Sequence, residues 1–506
     1  MNQPSTHLKI PLGIYSFKQI RTQNYYYVDK TYYISKLYQE GKYYFLSRPS
    51  KFGKSLLVDT IKCAFKGQKE LFEGLYLEKN WDWNQKYPVI YLNLNLKIFE
   101  FEHFLESILN VLYFQFEELE IPKIQSQDYM YVFQYLVKKT YEKYKKPVVI
   151  LVDEYDSPII ENLHNLPEAI AIRNLLDGLY KSIRILDEYT NFVFLTGISK
   201  ISRSSLFQAL NQLRDISLSK EYSTICGFTE QEILTNFSHL ITPNELEIIK
   251  HWYNGYSWSD QPLYNPYSIL NYLQDKKISP YWPETNNPKQ IFEILDHKYF
   301  QFQLPLIEGI ICSEQTINSF DVQRIVPESL LFQLGYLSIK STYTQTPPTQ
   351  YKLSLPNNEV RFSLCKLYCK QYNIPENYEN QLLKTLLDEK FTEFIKLLNQ
   401  IFIPLKSTKN KVTYINLFYA LMVCNIIQLN DPDIKFSVSC NQPNKLTFII
   451  HKASKIYVLI FCLDHDCQDS ININQLTNDY GKSKEIILIA IKLVSNKINY
   501  WVLRIS

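Results

Sequence analysis

Residues 147–153, PVVILVD, limit the choice of fold more than any other segment of this 506-residue chain. The run is apolar without alternation and ends in a carboxylate. A strand with no polar face is buried on both sides, as in a parallel sheet covered by helices. Similar runs recur at Tyr43–Leu46, Tyr87–Leu94 and Phe192–Leu195. Helical spacing fills the gaps at 55–65, 101–119, 129–144 and 165–186. Strands alternating with helices of that length predict βαβ units and a doubly wound parallel α/β sheet.

From about Thr229 the pattern changes to helices with irregular connections, ending near Tyr372 in the strand-like pieces LGYLSIK and YKLSLP. Residues 377–402 are expected to be helical. The tail returns to α/β, with a helix at 416–428 and strands at 446–450, 457–462 and 486–491. The expected division is 1–228, 229–374 and 375–506, in keeping with about three domains for this length. With 46% hydrophobic residues each can bury a core, and 21% charged residues is a globular proportion. A net charge of +3 is too small to imply nucleic acid by itself.

Nine scattered cysteines, no secretory pattern and no apolar run near the roughly 18 residues of a membrane span predict free thiols in a soluble, cytoplasmic protein. Cys462, His465 and Cys467 lie close together, but their spacing fits no zinc site.

Chemistry concentrates at strand ends. FLSRPSKFGKSLL, residues 45–57, runs from strand through turn to helix, the context of a phosphate-binding loop. Backbone amides at the helix start would meet phosphate oxygens, Lys54 would neutralise the β- and γ-phosphates, and Ser55 would hold Mg²⁺. Arg48, Lys51, Phe52 and Gly53 complete the expected ATP contacts. Arg48 stands where the general pattern has its first glycine. About a hundred residues on, Asp153 and Glu154 end the apolar strand, at the edge where open α/β sheets bind ligands. Asp153 is assigned to Mg²⁺ and Glu154 to the general base. FVFLTGISK ends a further strand in Thr196, Ser199 and Lys200, where a polar side chain would sense the γ-phosphate, and Arg203 is a candidate charge-stabilising arginine.

At these residues the chain resembles a family of bacterial proteins with an AAA-ATPase-like N-terminal domain and a C-terminal domain of the PD-(D/E)XK nuclease superfamily. IPLGIYSFKQIR, YYYVDKT (with Asp29, Lys30 and Thr31), YFLSRPSKFGKSLL, KELFEGL, KYPVIYLNL, VDEYDSPI, FLTGISK and CGFTEQEI carry the resemblance in order. WYNGYSW, YNPYSILNYL, PYWPET, LLFQLGYL and YKLSLPNNEVR continue it. In that family Arg-Pro replaces the first glycine of the loop.

The resemblance implies an ATP-binding P-loop domain, a helical or winged-helix-like middle and a nuclease fold at the end. It also implies positions for the nuclease ligands. The expected Asp falls at Thr447, the Glu at Ile460 and the Lys at Cys462, so a degenerate fold without cleavage is expected. Nucleic acid or protein is then the expected partner of that domain. Two alternatives stay open: a non-hydrolysing interaction protein, and a nuclease that recruits Asp464, Asp466 or Glu485 to a migrated site.

Overall fold

The computed structural model describes residues 8–96, 101–201, 213–259, 261–282, 309–318, 321–344, 348–402, 411–429, 431, 433–442, 445–463, 485–494 and 497–505. Arg203 and residues 464–467 lie outside them. Two compact units emerge, one taking in residues up to 297 and 311–357, the other built mainly from residues 358–506. The middle region expected at 229–374 thus falls within the first unit as far as Asn357, apart from residues 298–310, which go with the second.

The first unit is built on a five-stranded parallel sheet. Its strands are β1 (Tyr43–Ser47), β2 (Val89–Asn93), β3 (Val148–Asp153), β4 (Thr190–Gly197) and β5 (Arg214–Asp215), in the order β2-β3-β4-β1-β5. Every residue of β3 is buried, as its unbroken apolar sequence requires. Helices α1 (Phe17–Thr22), α2 (Thr31–Glu40), α3 (Lys54–Phe65), α4 (Phe101–Glu118), α5 (Tyr129–Tyr144) and α6 (Leu166–Ile185) accompany the sheet. Asp128 caps α5 by accepting from the Met130 and Tyr131 amides at 3.0 and 3.1 Å. The face of α4, α5 and α6 that meets the sheet supplies Phe104, Ile108, Leu112, Val132, Leu136 and Leu176 to one large core. This is the α/β arrangement of a P-loop NTPase-like fold.

Beyond the sheet come α7 (Glu230–Phe237), α8 (Pro243–Tyr253), α9 (Pro266–Asp275) and α10 (Pro327–Leu334). Reciprocal capping boxes, Thr229 with Glu232 and Thr242 with Glu245, start α7 and α8. Strands β6 (Ile310–Ser313), β7 (Ser338–Tyr343) and β8 (Gln350–Ser354) form a small sheet in which β7 and β8 run antiparallel.

The second unit contains α11 (Asn358–Gln371), α12 (Glu376–Leu387), α13 (Phe391–Phe402) and α14 (Lys411–Leu429). The helical stretch expected over 377–402 is made of two helices, because Glu389 takes a left-handed φ of 60° between them. Its sheet joins β9 (Ile434–Gln442), β10 (Lys445–Lys452), β11 (Lys455–Cys462), β12 (Glu485–Val494) and β13 (Lys497–Ile505) in chain order. Only the β11–β12 pair is parallel. Phe418 on α14 stacks on Phe461 at 4.6 Å, seating that helix on the sheet.

Two expectations are corrected here. Cys63, Cys226, Cys312, Cys365, Cys369 and Cys424 are free thiols, but Cys462 is disulfide-bonded. Glu485, a candidate for a migrated metal site, is neutralised instead. Its carboxylate lies 3.5 Å from Lys455 Nζ and 3.3 Å from Arg504, beside Glu389, which pairs with the same two cations.

Candidate active site

The site forms where β1, β3 and β4 end together. β4 lies between the other two, pairing Ser47 with Gly197 on one side and Val152 with Leu195 on the other. The chain leaves β1 at Arg48, whose amide donates to the Gly197 carbonyl at 3.1 Å. The turn that follows holds Lys51 and Gly53 left-handed, at φ 64° and 95°. The first intrahelical bond of α3 runs from Leu57 N to Gly53 O, so the amides of Lys54, Ser55 and Leu56 are the ones a helix start leaves for a ligand. Lys54 is 4% exposed, and its Nζ donates to the Arg48 and Pro49 carbonyls at 2.9 and 3.0 Å.

Arg48 does not play the part expected of it. Its guanidinium is buried and donates to the carbonyls of Ser47 (2.8 Å), Ser217 (2.7 Å), Tyr222 (3.3 Å) and Ser223 (3.5 Å). The Trp258 ring lies 4.3 Å from its central carbon. Burial lowers its pKa to about 10, so it remains charged at neutral pH. A cation committed to four carbonyls and an aromatic face ties the loop to residues 217–223, and is not presented to a phosphate.

Other parts of the first unit hold the same loop. Phe52 is buried against the Tyr256 and Trp258 rings at 4.9 and 5.2 Å, and its carbonyl accepts from Gly227 N at 3.1 Å. Trp282 donates its indole N–H to the Ser50 carbonyl at 3.0 Å. Gly335, at φ 90°, lies so close to Pro49 that an added Cβ would sit 2.7 Å from two ring carbons. A loop without its usual first glycine is therefore clamped from outside. Lys51, by contrast, is half-buried and donates to the Tyr15 hydroxyl at 3.1 Å. We expect Gly335→Ala to weaken nucleotide binding by about tenfold and to destabilise the unit by about 1–3 kcal/mol, without touching any ligand. Calorimetric titration alongside chemical unfolding checks this, and wild-type affinity would show that the clamp does not shape the loop.

Across the site, Asp153 is fully buried at the end of β3. Its Oδ1 accepts from Thr196 Oγ1 at 2.6 Å, and Oδ2 from the Tyr91 hydroxyl at 3.4 Å. Glu154 follows with a φ of 55°, a costly conformation for a side chain of that size, and of a kind found at functional sites. Burial pushes its carboxyl pKa above the ordinary value. Lys54 opposes that shift, while Asp153 and Asp156 add to it. Asp156, also buried, accepts from the amides of Ile198 (3.1 Å) and Ser199 (2.6 Å) and from the Ser199 hydroxyl.

The expected roles of Thr196 and Ser199 change accordingly. Both hydroxyls are bonded to carboxylates, so Thr196 and Ser199 orient Asp153 at the end of β3 and Asp156 just after it and do not offer free hydroxyls to a phosphate. Lys200 likewise pairs with Asp215 at 2.7 Å. Asp156, Tyr91, Trp258, Trp282 and Gly335 had no role in the sequence reading. The blocks WYNGYSW, PYWPET and LLFQLGYL contained three of them without saying what they touch.

A family model described as a predicted AAA-ATPase, AAA-ATPase-like, matches residues 11–207. The chain is also 36% identical over 370 residues to an "Uncharacterized protein in vnfD 5′ region" of Azotobacter chroococcum mcd 1, across 73% of this chain and 71% of that protein. The chain belongs to the predicted AAA-ATPase-like family. The AAA-ATPase-like match contains β1, α3, β3 and β4, and with them Lys54, Ser55, Asp153 and Glu154. It stops short of Trp258, Trp282 and Gly335, which clamp the loop from later in the chain.

Membership of the AAA-ATPase-like family implies nucleotide binding, with Mg²⁺ as its usual companion. The donor set fits such an ion. A carboxylate and a hydroxyl are the hard oxygen ligands Mg²⁺ takes, with nucleotide phosphates and water completing its octahedron. Among the described residues no group of three or more His, Cys, Asp or Glu side chains could hold a metal alone. Beside Phe52 and Gly53 the first unit also has a cavity of about 140 Å³, bounded by Leu12–Tyr15, Ile225–Phe228 and the start of α9.

Proposed function

We propose that the first unit binds and hydrolyses Mg²⁺-ATP as a molecular switch. The observation that carries this is a buried Lys54 at the start of α3 whose charge acts on a strained Glu154 of raised pKa just after β3. The amides opening α3 bind the phosphates, and Lys54 turns its ammonium from the loop carbonyls toward the β- and γ-phosphates. Ser55 and Asp153 hold Mg²⁺, which when bound neutralises charge developing on the phosphate oxygens. Thr196 and Tyr91 fix the Asp153 carboxylate through their hydroxyls. Glu154 takes a proton from the attacking water as the water oxygen bonds to the γ-phosphorus and the β–γ bridging bond breaks, giving ADP and phosphate.

The second unit reads as a degenerate PD-(D/E)XK nuclease-like domain that binds nucleic acid or protein without cutting. Support comes from three antiparallel strands followed by a parallel one, and from Thr447 and Ile460 at the positions of the metal-binding carboxylates and Cys462 at that of the lysine. Ile460 is 4% exposed and sits in the apolar cluster of the sheet. Among the described residues no helix is long and apolar enough to cross a membrane, and we place the protein in the cytoplasm.

Purified protein mixed with Mg²⁺-ATP and labelled DNA tests both readings. Phosphate release without cleavage is expected. Cleavage would favour a migrated nuclease site, and absence of both activities a non-hydrolysing interaction protein.

A further inference from the structure

A nucleotide whose phosphates lie on Gly53–Ser55 has its base one ribose length beyond them, next to the loop. The cavity of about 140 Å³ opens at that place, with Phe52 and Gly53 in its wall. This volume is about ten times the roughly 10–15 Å³ that one water needs, so it holds a ring-sized group. Its surface is mostly carbon, from Leu12, Ile14, Val28, Leu57, Ile225 and Leu270 among others. Three separate stretches meet there: the N-terminal segment, the CGF segment and α9.

Of the polar side chains on this wall, Tyr15, Tyr26, Tyr27, Lys30 and Lys51 are already bonded to protein groups. Lys30 donates to Glu232 at 2.6 Å and to the Thr224 carbonyl at 2.8 Å. Tyr26 bonds His239 at 2.6 Å and Tyr27 bonds Thr60 at 3.4 Å, while Lys51 donates to Tyr15 at 3.1 Å. The Lys30–Glu232 pair also joins the N-terminal segment to α7, which gives the DKT and TEQE motifs a structural reason to exist.

We infer that this cavity takes the purine base of the nucleotide and selects it by shape and apolar contact, with little side-chain hydrogen bonding to tell adenine from guanine. The inference rests on the phosphate-loop reading above. Sites that hydrogen-bond a substrate group reject its analogue by about 10⁴–10⁵, whereas packing alone discriminates by about 10–200-fold. ATP and GTP should therefore bind within about 200-fold of each other, and pyrimidine triphosphates more weakly, since a single ring leaves part of the cavity unfilled.

The test measures Kd for ATP, GTP, CTP and inorganic tripolyphosphate, each with Mg²⁺, on wild type, Leu12→Trp, Ile14→Trp and Lys54→Ala. Leu12 and Ile14 are half-buried, so tryptophan can be added there with little strain on the core. The expected result is that both tryptophan variants weaken nucleotides about tenfold or more while tripolyphosphate binds as before. Retained tripolyphosphate binding also shows that the variants are folded. Unchanged nucleotide affinity in both tryptophan variants, with binding lost in Lys54→Ala, overturns the base site and leaves the phosphate loop standing. So does a preference for ATP over GTP above about 200-fold. Full binding of every ligand by Lys54→Ala overturns the phosphate loop itself.

Discussion

Glu154→Gln should bind Mg²⁺-ATP with affinity within about threefold of wild type and hydrolyse it about 10² times more slowly or worse, the usual loss when a general base is removed. The pH profile separates this from a general disturbance of the site. A base works deprotonated, and burial has raised the Glu154 pKa, so wild-type kcat should climb with pH through a midpoint above the ordinary carboxylate value of 4.5. Glu154→Gln should lack that limb. The same shift has a stability consequence of opposite sign. A carboxyl whose pKa is raised by folding contributes stability below its unfolded pKa and loses that contribution as pH rises through the folded value. At neutral pH the ionised side chain is therefore a burden on the fold, and Glu154→Gln should melt slightly higher than wild type while turning over far more slowly. Wild-type turnover in Glu154→Gln would mean that another group activates the water.

Arg48→Ala and Lys54→Ala remove two buried cations from one short loop and should fail in opposite ways. Arg48 donates to carbonyls of Ser47, Ser217, Tyr222 and Ser223, and its loss leaves buried acceptors unpaired beside an empty space under Trp258. The expected cost is about 3–5 kcal/mol of stability, the range for breaking a buried charged arrangement from one side. Nucleotide binding would fall only because the fold does. Lys54 bonds just two carbonyls of its own loop, so Lys54→Ala should unfold close to wild type and lose nucleotide affinity by about a hundredfold or more, since a phosphate-binding ammonium has no replacement there. Urea unfolding and calorimetric titration, run on both variants, decide the matter. Wild-type stability in Arg48→Ala would return that residue to the list of ligand contacts.

Sheet order aside, the α/β core was legible because its signals are local. PVVILV can only be a strand buried on both faces, and FGKS between an apolar strand and a helix locates the loop within a residue of where α3 begins. What could not be read is the destination of each polar group. Thr196 and Ser199 looked like phosphate sensors because their carboxylate partners are over forty residues away in sequence. Arg48 looked like a ligand because its acceptors are backbone carbonyls near residue 220, and a carbonyl has no signature in a sequence. Glu389 divides an expected helical stretch through a backbone angle that its neighbours do not announce. The two outer strands of the second sheet, β9 and β13, went unread. KINYWVLRI alternates only weakly, because an edge strand has one buried face and little to distinguish it from a surface loop.

The clamp on the loop has a consequence for how the protein is made. Translation delivers Ser47–Ser55 early and Trp258, Trp282 and Gly335 much later. During that interval the nascent chain carries its nucleotide-binding segment without the aromatic rings that hold Phe52 and the indole that holds Ser50. On the function proposed above, a ribosome-bound precursor would respond to ATP only once most of the first unit has left the exit tunnel. Completion of the unit, not synthesis of the motif, would then switch on the nucleotide response.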